Sequence, residues 1–217
     1  MRFKSAPRWL KIAGISATLF LLIAGFVAYK VLWDPENTKQ VFYPISDKEK
    51  GLLRHGDMLL RQGYGMFSEV IVEAQNTAFP ISHCAMLVND QGQWKVIHAL
   101  SSSVAELDGV QMQPLQRFLN ECVPNSLVVT RFKSTPDSIA QLVERVKGYA
   151  LRKMPFDHQF DNTDTSAFYC TELFRHCFEQ EFHRVIFPLS APSDYIPLST
   201  FQDTTQFEII LNHQFRK

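Results

Sequence analysis

The sequence predicts an α+β domain, an antiparallel sheet with helices packed to the side, and three observations predict it. The runs 82–88 and 93–100 flank the turn Asn89-Asp90-Gln91-Gly92 and read as a hairpin. Short apolar stretches at 58–60, 126–132 and 207–211 supply further strands. Ile139, Leu142, Val143, Val146 and Ala150 recur at helical spacing, as do Leu173, Phe174, Cys177 and Phe178.

Composition narrows the function. The 217 residues suffice for one sizeable domain plus an appendage. Lys+Arg and Asp+Glu both total 22, so the net charge is zero and nothing argues for nucleic acid or another polyanion as partner. The 18 Phe suit a packed core and a greasy cleft. Four cysteines, Cys84, Cys122, Cys170 and Cys177, lack CxxC spacing, which argues against a structural zinc site. Spacing neither supports nor excludes a disulfide such as Cys84 to Cys122.

The elements follow in order. Arg2, Lys4, Arg8 and Lys11 precede an uncharged run, 12–29, that Lys30 closes. Its length fits one membrane-crossing helix, with Trp9, Tyr29 and Trp33 placed as interfacial aromatics. A cleaved signal peptide is the competing reading, but Phe26-Val27-Ala28-Tyr29 makes a poor cleavage site. The expected organisation is an anchor over 1–33, a linker over 34–50 and a domain over 51–217. The excess of N-terminal basic residues places that end in the cytoplasm and the domain across the membrane, in the periplasm if the chain is bacterial. His55-Gly56-Asp57 reads as a turn before the strand Met58-Leu59-Leu60. Gly63-Tyr64-Gly65 leads into a helix with Phe67, Val70, Ile71 and Ala74 on one face, ended by Phe79-Pro80. After the hairpin, Pro114 opens a short helix carrying Leu115, Phe118 and Leu119. Thr135 or Asp137 caps the helix of Ile139 to Ala150. No internal repeat appears.

Phe168-Tyr169-Cys170-Thr171-Glu172-Leu173-Phe174 follows the polar loop 161–166, so a helix is expected to start at or near Cys170. The unpaired N–H groups and positive dipole end of a first turn favour a thiolate, the form that attacks carbonyl carbon. The competing reading makes Cys170 a small buried hydrophobe. A nucleophilic cysteine needs a base and a group that orients the base. Folding about the hairpin turn brings His83 and His98 to nearly opposite positions, where cross-strand side chains lie about 5 Å apart. The other reading is a pair of ordinary strand histidines. His158, His176 and His183 have irregular spacing that gives no metal-ligand set. Glu172 reads as complementing the helix dipole. Cys84 alternates with His83 and so belongs to the opposite sheet face, as core, and Cys177 is core on its helix.

Five motifs in order carry a resemblance: Gly56-Asp57-Met58-Leu59-Leu60; Ile81-Ser82-His83-Cys84-Ala85-Met86-Leu87-Val88; Val96-Ile97-His98-Ala99; Met154-Pro155-Phe156-Asp157; and Tyr169-Cys170-Thr171-Glu172-Leu173. Together they resemble the circularly permuted NlpC/P60 papain-like hydrolases of the YiiX/YaeF-like group and, more distantly, the lecithin-retinol acyltransferase-like enzymes. The resemblance implies a permuted papain-like fold, with Cys170 as nucleophile and His83 as base. The bacterial group usually has Glu in the third position; His98 stands there in this chain, as histidine does in the acyltransferase-like relatives. Tyr169 is a candidate for shaping the oxyanion or substrate pocket, with the Cys170 N–H as a donor.

The expected function is a membrane-anchored thiol hydrolase or acyl transferase acting on an amide, ester or thioester, with no cofactor and no metal. Cell-wall peptides and lipid-linked acyl groups are the substrate classes the resemblance implies, and the lipid bilayer is a partner. The alternatives are a catalytically silent lipid- or peptide-binding module on the same tether, motivated by His98, and a structural spacer.

Overall fold

The computed structural model describes residues 42–75, 79–189 and 194–215, together with Gly25. The expected anchor over 12–29 lies outside the described residues apart from Gly25. No helix among the described residues is long and apolar enough to cross a membrane. The chain divides into Met1–Lys39 and Gln40–Lys217, and the second unit holds the fold.

Strands β1 (Met58–Arg61), β2 (His83–Asp90), β3 (Gln93–Leu100), β4 (Gly109–Pro114), β5 (Val128–Phe132) and β6 (Phe207–Asn212) form one sheet, ordered β4-β3-β2-β1-β5-β6. Every pairing is antiparallel. The β2–β3 hairpin closes through a two-residue loop in which Gln91 (φ 53°) and Gly92 (φ 83°) take left-handed conformations, matching the strand twist. Asn89 Oδ1 accepts the Gly92 N–H at 2.9 Å and fixes that turn. Strand β4 was not among the predicted elements. Its alternating Gln111 and Gln113 hide the apolar signal, and pairing with β3 makes it a strand.

Side chains alternate across the sheet. Met58, Leu60, Cys84, Met86, Ile97 and Ala99 face helices α4 (Pro136–Leu151) and α5 (Cys170–Phe182), which contribute Leu142, Val143, Val146, Leu173, Phe174, Cys177 and Phe178 to one core. Leu59, Ala85, Leu87, Val96 and Val129 face the other way, onto α3 (Leu115–Asn120) with Leu115, Phe118 and Leu119. Tyr43 and Ile45 join this second core, and Ser46 caps α1 (Asp47–Lys50), so residues expected as linker pack into the domain. Helix α2 (Met66–Gln75) buries no residue fully; Phe67 and Val70 on its apolar face are exposed, while Ile71 packs on the first core.

Two features fix the start of β1. Gly56 has φ +89°, and a Cβ there would clash with the Ile139 side chain. Asp57, fully buried, receives both forks of Arg131 from β5, Nε at 2.7 Å and an Nη at 2.9 Å, and the Arg54 N–H at 2.7 Å. Thr135 caps α4 by accepting the Ser138 N–H at 3.3 Å, with Pro136 at the first helical position.

Candidate active site

Helix α5 begins at Cys170, as the sequence predicts, because the polar loop before it ends in Tyr169, whose backbone is extended. The Tyr169 N–H donates to the Glu172 carboxyl at 3.2 Å, which closes the first turn. Glu172 is almost fully buried, and burial pushes its carboxyl up to about 8 against the help of that N–H. At neutral pH it is therefore mostly uncharged. Glu172 serves as a neutral cap, not the dipole-complementing anion expected from its position.

Cys170 is half-buried and packs against the first core. The neighbouring Cys84 side chain, foremost, and the backbone N–H groups of Thr171, Cys84 and Cys170 itself lower its thiol pKa against the effect of burial. The net result places Cys170 below the ordinary thiol range. Cys84, wholly buried, moves far the other way because desolvation penalises its thiolate. Cys170 is thus the more acidic thiol of the pair. Alternation correctly sends Cys84 to the face opposite His83, but the core there includes Cys170. Sequence reading missed this contact because no local pattern links two cysteines so far apart in the chain.

His83 and His98 lie on the α3 face. The Met86↔Ile97 register makes them diagonal neighbours, and the rings meet with His83 Nε2 2.9 Å from His98 Nδ1. Both rings pack on Phe118, with centroids 6.1 and 6.0 Å away. His98 is fully buried and its Nε2 has no partner among the described residues. Burial, then the Arg61 and Arg117 charges, lower His98 to about 3, so it is neutral at any ordinary pH. Burial, His98 and Arg61, in that order, likewise hold His83 well below the usual imidazole range.

Among the described residues no hydrogen bond joins Cys170 to His83. The Cys170 thiol lies near the Cys84 amide, the peptide bond next to His83. His83 is the first residue of β2, and its side chain lies on the sheet face opposite the one that Cys84 presents to α5. With Nε2 committed to His98, Nδ1 is the nitrogen left for other partners.

Tyr169 is buried, and its hydroxyl donates to Asn162 Oδ1 at 2.8 Å. Its ring packs with Phe160 and Tyr195, at centroid distances of 5.3 and 5.5 Å. The phenol proton is engaged in the loop, so Tyr169 lines a wall and offers no free donor. The remaining histidines hold local roles: His158 pairs with Asp108 at 3.1 Å, His176 with the Tyr149 hydroxyl at 2.9 Å, and His183 ends α5 in a left-handed conformation. Among the described residues no three His, Cys, Asp or Glu side chains stand close enough to hold a metal ion. Cys84, Cys122, Cys170 and Cys177 are all free thiols, so the Cys84–Cys122 disulfide is absent.

Comparison with known proteins agrees with this architecture. A crystal structure described as metalloprotein yiiX from Escherichia coli O157:H7 aligns over 73% of this chain and 97% of its own, with TM-score 0.57 and 19% identity. At that identity the likeness shows the fold. No curated protein matches the sequence. The model of a family described as "Permuted papain-like amidase enzyme, YaeF/YiiX, C92 family" matches residues 53–187, which include every motif residue named above and well over half of the chain. The chain belongs to this permuted papain-like amidase family and has its hydrolase character.

Proposed function

We propose that the protein is a cysteine hydrolase in which Cys170 attacks an amide, ester or thioester carbonyl and His83 is the general base. The observation that supports this most is the 2.9 Å His83–His98 hydrogen bond, made by the residue next in the chain to Cys84, which neighbours Cys170. His98 Nδ1 accepts from His83 Nε2–H, which leaves the His83 Nδ1 lone pair to take the thiol proton. Sulfur bonds to the carbonyl carbon, and the oxyanion develops near the N–H groups of the first turn of α5. Collapse expels the amine, alcohol or thiol, which receives the proton from His83. Water, deprotonated by His83, then attacks the thioester and releases the acid and the Cys170 thiol; a hydroxyl or amine acceptor in place of water makes the same step an acyl transfer.

The uncharged run 12–29 favours a membrane tether with the N-terminus in the cytoplasm, and a cell-wall peptide or lipid-linked acyl group is the substrate class at such a surface. A silent lipid- or peptide-binding module is the second reading. The absence of a Cys170–His83 hydrogen bond among the described residues, and of a fixed anion behind His83, favours it.

Alkylation of the protein by iodoacetamide across pH separates the two. A nucleophile reacts selectively at Cys170 at or below neutral pH, and His83→Ala removes that selectivity. Reaction at Cys170 only in the range of a free thiol, near pH 8.5, refutes the catalytic reading.

A further inference from the structure

We propose that Arg61 is a positioning residue of the histidine pair: its guanidinium, clamped on the Phe118 ring beside both imidazoles, keeps protons off the pair until the thiol delivers one. The inference rests on the reading of His83 as base. Arg61 ends β1 directly across from His83, as its Cα partner in the antiparallel register. Only 5% of it is exposed, which is rare for arginine. Its guanidinium carbon lies 4.5 Å from the centroid of Phe118, the ring on which His83 and His98 also pack. One Nη donates to Glu121 at 2.9 Å and the other to the Phe118 carbonyl at 3.4 Å, while Nε has no partner among the described residues. The cation is therefore built into the second core at a fixed place.

The charged and titratable groups that face the pair come from every neighbouring element. From β1 comes Arg61; from α3, Arg117; from the turn after α3, Glu121, which pairs with Arg61 and lies 3.6 Å from Arg117. Cys122 beside Arg61 stays a neutral thiol, since burial pushes it up to about 12. Gln113 of β4 is uncharged and donates to Glu121 at 3.4 Å. Burial is the largest influence that keeps both imidazoles neutral; the Arg61 charge adds to it on both rings and the Arg117 charge on His98. A neutral pair suits a base that must be empty when substrate arrives; a stored proton on His83 would remove the lone pair that Cys170 needs. A purely structural staple between β1 and α3 would not depend on the sign of the charge.

The test reads the imidazoles directly. Full-length protein with carbon-labelled histidine is titrated by NMR, following the His83 ring in wild type, Arg61→Gln, Arg61→Lys and Glu121→Gln. Removing the cation should raise the His83 midpoint by about one unit, and removing the carboxylate should lower it. Arg61→Lys, which keeps the charge, should stay near wild type. Unchanged midpoints, or shifts of the same sign in Arg61→Gln and Glu121→Gln, overturn the proposal. If Arg61→Gln fails to fold, Glu121→Gln alone decides by the direction of its shift. Iodoacetamide labelling of Cys170 in the same samples reports separately on the nucleophile: inert Cys170 with opposed His83 shifts refutes the catalytic reading while leaving the electrostatic role of Arg61 in place.

Discussion

Cys84 of β2 and Cys170 at the start of α5 are neighbours in the first core, and their thiols are pushed in opposite directions: burial raises Cys84, while Cys84 and nearby backbone N–H groups lower Cys170. A papain-like nucleophile is usually pictured with histidine as its partner on one side and helix N–H groups on the other. Here the neighbouring Cys84 and backbone N–H groups both draw the Cys170 thiol below its ordinary value. The fixed dipole end of α5 and Cys84 act on the same atom.

Replacing Cys84 with Ala removes that neighbour. The Cys170 thiol should then become less acidic by roughly half a unit to one unit, and its alkylation at pH 7 should slow about three- to tenfold. Cys84→Ser keeps a hydroxyl donor and should retain most of the rate. Iodoacetamide kinetics on Cys170, with thermal melting to confirm folding, checks this; equal rates in wild type and Cys84→Ala would remove Cys84 from the account.

His98 carries a different burden. A neutral imidazole can hold His83 in one orientation, yet it adds no negative charge to stabilise an imidazolium. His98→Ala should therefore cut the rate of Cys170 acylation by an activated ester about a hundredfold or more, by loss of orientation. His98→Glu should keep most of the rate, because its carboxylate accepts from His83 Nε2 and has Arg61 nearby as counter-charge. A burst assay with a nitrophenyl ester measures both, and a His98→Ala enzyme of full activity would show that the pair is structural.

Five of the six strands and the helices of the α+β domain were legible because they obey simple periods. The alternation at 82–88 and 93–100, the Asn89–Gly92 turn and the heptad-like spacing of Ile139 to Ala150 each report a local backbone choice. The start of α5 at Cys170 was legible for the same reason, as polar loop gives way to apolar periodicity. What the sequence concealed is set by pairing across long separations. Arg61 sits next to His83 only because β1 and β2 pair antiparallel in the register Arg61↔His83. Cys84 meets Cys170 only because α5 packs on the face that His83 does not use. Glu172 looks like a surface anion at a helix start, and only its burial by distant segments shows it to be neutral. Strand β4 reads as polar until β3 supplies its ladder.

Asp57 and Arg131 provide a stability test away from the chemistry. Burial lifts the Asp57 carboxyl above the usual carboxylate range even though Arg131 and the Arg54 N–H pull it down, so the ion pair is costly to hold and more costly to break. Arg131→Met leaves a buried carboxylate alone and should destabilise the domain by roughly 2–4 kcal/mol, allowing for partial exposure of the arginine. The double variant Asp57→Asn with Arg131→Met should recover part of that loss. Urea midpoints at constant slope measure it, and a double variant no better than Arg131→Met would contradict the desolvation argument.

Glu172 links folding to pH in an unusual direction. Its carboxyl is raised from 4.5 to about 8 in the folded domain. Below about pH 4.5 both states hold the proton and the group contributes no slope. Between about 4.5 and 8 the unfolded chain ionises while the folded domain keeps its proton, so the folded state binds more protons and stability falls as pH rises. Above about 8 both states are ionised and the loss is complete. Glu172→Gln keeps a carbonyl to accept the Tyr169 N–H and abolishes the titration. The variant should match wild type near pH 4.5 and exceed it by roughly 1–3 kcal/mol at pH 8. Because the variant leaves Cys170 and His83 intact, its gain should appear in unfolding midpoints and not in Cys170 alkylation. Parallel stability curves for the two proteins from pH 4.5 to 8 would mean that Glu172 is ionised in the fold, and that the first turn of α5 carries a buried anion after all.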